Sequence, residues 1–176
     1  MKKIVFITLS LLLAVSFWNC EKDDICAEGT PVTPRLIIEF YDAANPTVLK
    51  SVTNLRVEEF GTDEGVVFNE NLLETNPARF LTNGNKIAIP LKTFANDSEF
   101  DFIFNYGDVS ENTDAITFTY DRDEIYISRA CGFKTIFSLT ANNPSVFPAT
   151  GYWIQNIEVM QPNIENENEV HVKIYF

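Results

Sequence analysis

The chain of 176 residues contains one histidine, seven glycines and three cysteines, and only 13 lysines and arginines against 25 aspartates and glutamates. A lone histidine, His171, excludes a metal centre built from histidines. Any Ser-His-Asp or Cys-His site would also have to use it, and no G-x-S-x-G turn accompanies it. The glycines form neither a G-x-x-x-x-G-K-S/T nor a G-x-G-x-x-G run, so nothing is built to cradle a phosphate and nucleotide enzymes are set aside. The shortage of basic residues leaves a formal charge of -12. A surface that negative repels phosphate backbones and anionic headgroups, so nucleic acid is not expected as a partner. No cofactor or metal is expected, since the twelve-residue calcium loop is missing around Asp121, Asp123 and Glu124. After the first twenty residues there is no helix-period segment and no second long apolar run.

The N-terminus reads MKKIVFITLSLLLAVSFWNC, with two lysines, an apolar stretch from Ile4 to Trp18, and then Cys20. The stretch is about 15 residues, short of the roughly 20 that a helix needs to cross a bilayer core. Residues 1–19 therefore read as a signal peptide, whose loss removes Lys2 and Lys3 and brings the mature chain to -14. Cys20 resembles the lipidated cysteine of bacterial lipoproteins. Asn19, Trp18 and Phe17 depart from the usual small residue and leucine before it, and looser signals of this kind resemble those of Bacteroidota. The competing reading is cleavage after Ala14-Val15-Ser16, which gives a soluble periplasmic or secreted chain. Glu21, Lys22, Asp23 and Asp24 look like the acidic surface-export signal of such lipoproteins, and read equally as a solvated tether over 20–34. The expected location is the outer membrane, with the domain facing the medium if that signal is used.

Export places the cysteines in an oxidising compartment. With lipid on Cys20, Cys26 and Cys131 are left to pair across about 105 residues, a loop to which the chain-entropy model assigns about 4.7 kcal/mol. The alternative is a reactive thiol at Cys131, for which Arg129 is the only cue.

From residue 35 to 176 one domain of short alternating segments is expected. Leu36, Ile38 and Phe40 share one face of a strand; Phe100, Phe102, Phe104 and Tyr106 do so in a second. Ile116, Phe118 and Tyr120 mark a third and Val170, Val172, Ile174 and Phe176 a fourth, with His171 on its polar face. Less regular strands are expected over 53–60, 86–92, 124–130, 133–140 and 152–160. Asn83-Gly84 signals a tight hairpin, Pro90 an edge or bulge, and turns are expected at 121–123 and 142–151. The pattern predicts an all-β antiparallel two-sheet β-sandwich, immunoglobulin-like or transthyretin-like, with a small closed barrel as the alternative.

Taken together, CEKDDIC, TPRLIIEFYD and YISRACGFK resemble a family of small Bacteroidota lipoproteins whose domain has no assigned function. The resemblance implies a compartment and a one-domain layout, without a reaction or a catalytic residue. Cys26 and Cys131 match the cysteines of its first and last motifs.

Phe147, Tyr152 and Trp153, in or beside the Pro-containing stretch 142–151, are the candidates for stacking on a sugar or anchoring a protein, with packing into the core as their other use. The expected function is a lipid-anchored, non-catalytic binding or structural module, whose partners are the membrane and an envelope protein or extracellular ligand. The alternative is a carboxylate-dependent hydrolase of envelope glycans or peptides, for which no acid pair stands out.

Overall fold

The computed structural model describes residues 25–27, 29–30, 32–140, 144–148 and 151–176, with backbone only at 146–148. The signal segment, Cys20 and residues 21–24 lie outside the described residues. The chain divides into two compact units, Met1–Thr30 with Tyr126–Phe133, and Pro31–Ile125 with Lys134–Phe176.

The larger unit is a two-sheet β-sandwich, as the strand pattern predicts. In the first sheet, β1 (Leu36–Asp42) lies beside β12 (Val172–Tyr175), which pairs onward with β10 (Asn156–Val159). The other edge of β1 is shared: β5 (Lys86–Ile89) takes its first half and β2 (Asn45–Leu49) its last residues. The second sheet runs in the order β11 (Asn163–Ile164), β8 (Gly132–Leu139), β7 (Asn112–Ser128), β6 (Asp97–Phe104), β3 (Leu55–Glu59), β4 (Leu81–Thr82), with β9 (Ser145–Pro148) alongside β7. Among the described residues there is no α-helix, only a 3-10 turn at Pro77–Phe80.

Period-2 alternation accounts for the core. Leu36, Ile38 and Phe40 of β1, Val172 and Ile174 of β12, Phe100 and Phe102 of β6, and Ile116, Phe118 and Tyr120 of β7 are all buried in one cluster. Burying a side chain of this size stabilises by about 1.5–3 kcal/mol, which is what holds the two sheets face to face.

Four local expectations are corrected. The sandwich is not purely antiparallel, because β1 and β12 pair in parallel, with Ile38 opposite Val172. Asp121–Asp123 is no turn; β7 runs through it, and its exposure on both faces from Asp121 to Tyr126 removes the alternation that would mark a strand. Asn83-Gly84 closes no hairpin, since β4 and β5 belong to different sheets and neither residue has the positive φ that a tight hairpin turn needs. There the Asn83 side chain accepts the Asn54 N–H at 2.8 Å and the Gly84 carbonyl accepts the Val52 N–H at 3.0 Å. The stretch 142–151 is not all loop either, because β9 lies within it and pairs with β7.

Candidate functional site

The smaller unit holds the end of the tether and the tip of the β7–β8 hairpin. Cys26 and Cys131 are disulfide-bonded, their Cα atoms 4.9 Å apart across a sequence separation of 105. This excludes a free Cys131 thiol. The tip is shaped locally: the Cys131 N–H donates to the Ser128 hydroxyl at 3.1 Å, and Gly132 takes φ +69, a left-handed conformation that glycine adopts without strain. On the tether side, Thr30 turns back through its N–H and hydroxyl, both donating to the Ala27 carbonyl. Beside the bridge, Tyr126 and Phe133 pack edge to face at 5.3 Å while remaining 55% and 65% exposed.

The three aromatic candidates of the larger unit part ways. Trp153 is buried: it stacks on Phe104 at 5.1 Å, meets Phe176 edge-on at 5.5 Å, and donates its indole N–H to the Phe102 carbonyl at 3.0 Å. It cannot offer a stacking face to a ligand. Phe147 lies in β9 opposite Ala115, with only its backbone described. Tyr152 is displayed, 62% exposed, on the rim of an open groove of about 500 Å³ that Pro144, Ile154, Gln155, Asn156 and Ile157 also line.

What splits Tyr152 from Trp153 is Asp114, which the sequence reading passed over. Its carboxylate Oδ2 accepts the backbone N–H groups of Trp153 at 3.0 Å and Ile154 at 2.8 Å, and its Oδ1 is buried with no hydrogen-bond partner among the described residues. Burial raises the Asp114 pKa above the usual carboxylate range, against the pull of the two N–H donors. The signal was there: Asp114 shares parity with Ile116, Phe118 and Tyr120 and therefore points inward.

His171 is not on a polar face. It is buried, its Nδ1 accepts the Ile37 N–H at 2.9 Å, and its own N–H donates to the Ile37 carbonyl at 3.0 Å. Burial lowers its pKa, outweighing Glu169 and Glu167. It is a neutral structural acceptor.

For hydrolysis, the acids that meet across strands are Glu58 of β3 and Asp101 of β6, directly opposite in register. Desolvation first, then Glu58 and Glu99, raise the Asp101 pKa, while Arg56 is ion-paired with Glu58. Neither acid lines a described groove, whereas Glu59, Glu64 and Glu70 line one of about 390 Å³ together with Arg35. No group of three or more potential metal ligands occurs among the described residues.

A family model, described as a family of unknown function (DUF6452), matches residues 54–176. The match takes in YISRACGFK and leaves the two earlier motifs outside. No curated protein and no solved structure matches.

Proposed function

The chain belongs to DUF6452, a family of unknown function, and we propose that it is an exported lipoprotein, acylated on Cys20, whose sandwich binds an envelope protein or extracellular ligand without chemistry of its own. The observation that carries this reading is the Cys26–Cys131 bridge. Disulfides persist in oxidising compartments outside the cytoplasm. This one fastens the chain six residues after Cys20, so a tether that would otherwise be a loose polar lead-in becomes a short link between lipid and protein. One acyl chain anchors marginally, and the two or three of a lipoprotein hold stably.

The rim at Tyr152 suits the binding role. An exposed phenol ring beside the amides of Gln155 and Asn156 combines a stacking face with paired donors and acceptors, the set that recognises a sugar or a peptide backbone. The hydrolase alternative would draw on Glu59, Glu64 and Glu70, which line a second open groove of about 390 Å³, where Glu59 is already ion-paired with Lys92 at 2.7 Å.

Intact-mass measurement and nonreducing peptide mapping of protein from native membranes test the proposal. The expected result is a diacylglycerol adduct on Cys20, a mature N-terminus at that residue, and one peptide pair joined through Cys26 and Cys131. An unacylated chain beginning at Phe17 would overturn the anchor and leave a soluble secreted protein.

A further inference from the structure

We propose that the Tyr126–Phe133 face of the hairpin tip sits in the headgroup region of the bilayer that holds the Cys20 lipid; this rests on the lipoprotein reading above. Three independent observations converge on it. The first is exposure: Tyr126, Phe133 and Ile25, which is 84% exposed, are large apolar side chains displayed within one small unit. Tyr126 and Phe133 form an edge-to-face pair at 5.3 Å, a rigid apolar step rather than two isolated rings. Aromatic rings with an apolar body and a polar tip, such as tyrosine, favour the headgroup level of a membrane.

The second is reach. The bridge fixes Cys26 to Cys131, and Cys131 is two residues from Phe133. From Cys20 to Cys26 the chain has six residues, which span at most about 22 Å when fully extended. The bridge therefore holds the aromatic pair close to the lipid whatever path the tether takes, and the effective concentration of headgroups at the pair is set by that short link.

The third is charge. From Ile125 to Ile157 the sequence contains no aspartate or glutamate, although the whole chain has 25. The tip Tyr126–Phe133 carries Arg129 and no acid. The acids of the smaller unit belong to its N-terminal stretch, at Glu21, Asp23, Asp24 and Glu28, so within that unit the hairpin tip is the segment that meets headgroups without like-charge repulsion.

The test uses the full-length acylated protein with Phe133→Trp, reconstituted into vesicles of zwitterionic phosphatidylcholine with or without bromine on the acyl chains. After cleavage before Cys20 the sole native tryptophan is Trp153, which is buried and reports the background. Flotation of the vesicles first establishes anchoring. The expected result is that the variant floats, that the added indole emits further to the blue than in detergent-free protein lacking lipid, and that brominated vesicles quench the variant well beyond the wild type. Flotation with equal quenching of variant and wild type overturns the membrane contact, leaves the anchor intact, and directs the pair to a protein partner. Failure to float overturns the lipoprotein reading and the contact with it. A second variant, Tyr126→Trp, guards against a local packing fault at position 133 and carries the same expectation.

Discussion

Asp114 holds Trp153 in the core by its backbone: one carboxylate oxygen takes the Trp153 N–H at 3.0 Å and the Ile154 N–H at 2.8 Å, and the indole N–H is free to reach the Phe102 carbonyl. Tyr152, one residue earlier, is thereby left at the surface. A single buried acid on β7 thus sets the border between core and candidate binding rim.

Replacing Asp114 by alanine leaves two buried N–H groups without acceptors, and an unsatisfied buried donor costs about 1–3 kcal/mol. Asp114→Ala is expected to lower unfolding free energy by about 2–6 kcal/mol on that basis. Asp114→Asn keeps an acceptor oxygen and removes the desolvated charge, so its loss is expected to be smaller. The pH response separates them further. A carboxyl whose folded pKa is raised stabilises the fold fully below its unfolded value near 3.8 and loses that contribution as pH rises through the folded pKa. The asparagine variant should lack this component. Urea titrations of the three proteins from pH 4 to pH 7 would show it, and equal losses for both variants would refute the acceptor role.

His171 works in the opposite sense. Its folded pKa is lowered from 6.5, so the unfolded chain binds the proton first and stability falls as pH drops below about 6.5 toward the folded value. The slope from one such group is at most about 1.4 kcal/mol per pH unit. In His171→Asn the amide oxygen takes the place of Nδ1 as acceptor for the Ile37 N–H, and this pH-dependent component should vanish while most stability at pH 7 is retained. A variant that keeps the wild-type slope between pH 6.5 and pH 5 would show that another group titrates there.

These two residues also show where sequence reading succeeds and where it stops. Strands with one buried face announce themselves, as β1 and β6 do through Leu36, Ile38 and Phe40 and through Phe100 and Phe102. The same parity rule places Asp114 and Ser98 inside, but hydrophobic counting passes over polar residues, so Asp114 was missed. His171 breaks the rule outright: it precedes β12 and serves the backbone of β1, a tertiary contact that no local pattern encodes. Asn83-Gly84 has hairpin chemistry without a hairpin, because the flanking strands find partners in different sheets. The Cys26–Cys131 bridge was legible in the sequence once Cys20 was read as lipidated, because that reading leaves two cysteines to pair. The border between Tyr152 and Trp153 was not, since neighbouring aromatics look alike until the backbone between them is tied down.

Tyr120, Ser98 and Lys92 close a ring of hydrogen bonds at the end of β6. The Lys92 N–H donates to Ser98 Oγ at 3.0 Å, Ser98 Oγ and the Tyr120 hydroxyl are 2.6 Å apart, and the Tyr120 hydroxyl donates to the Lys92 carbonyl at 3.0 Å. Tyr120→Phe keeps the ring packed against Phe137 and breaks two of the three bonds. The expected cost is about 1–3 kcal/mol, and Ser98→Ala in the same background should cost less than Ser98→Ala alone, because of the two bonds Ser98 makes only the one from the Lys92 N–H is left to lose. A double-mutant cycle by chemical denaturation checks this; additive losses would mean that the ring is not coupled.

The disulfide should matter to stability as well as to the proposed attachment. The sandwich core is assembled from strands between Leu36 and Phe176, and neither cysteine belongs to its buried cluster, so reduction removes no core packing. What reduction does remove is a constraint on the unfolded chain, worth about 4.7 kcal/mol for a loop of about 100 residues in the chain-entropy model. Cys26→Ser combined with Cys131→Ser is therefore expected to keep the sandwich folded, with an unfolding free energy lower by about 2–5 kcal/mol, the range typical for loss of a native bridge. Two readouts distinguish the entropic effect from local damage. The urea midpoint should fall while near-ultraviolet circular dichroism of the buried Trp153 is unchanged, and a protease should newly cleave the lead-in between Ile25 and Arg35. If the midpoint stays where it is and only the cleavage appears, the lead-in unfolds independently of the sandwich, and the bridge serves only to fasten the lead-in to the hairpin tip.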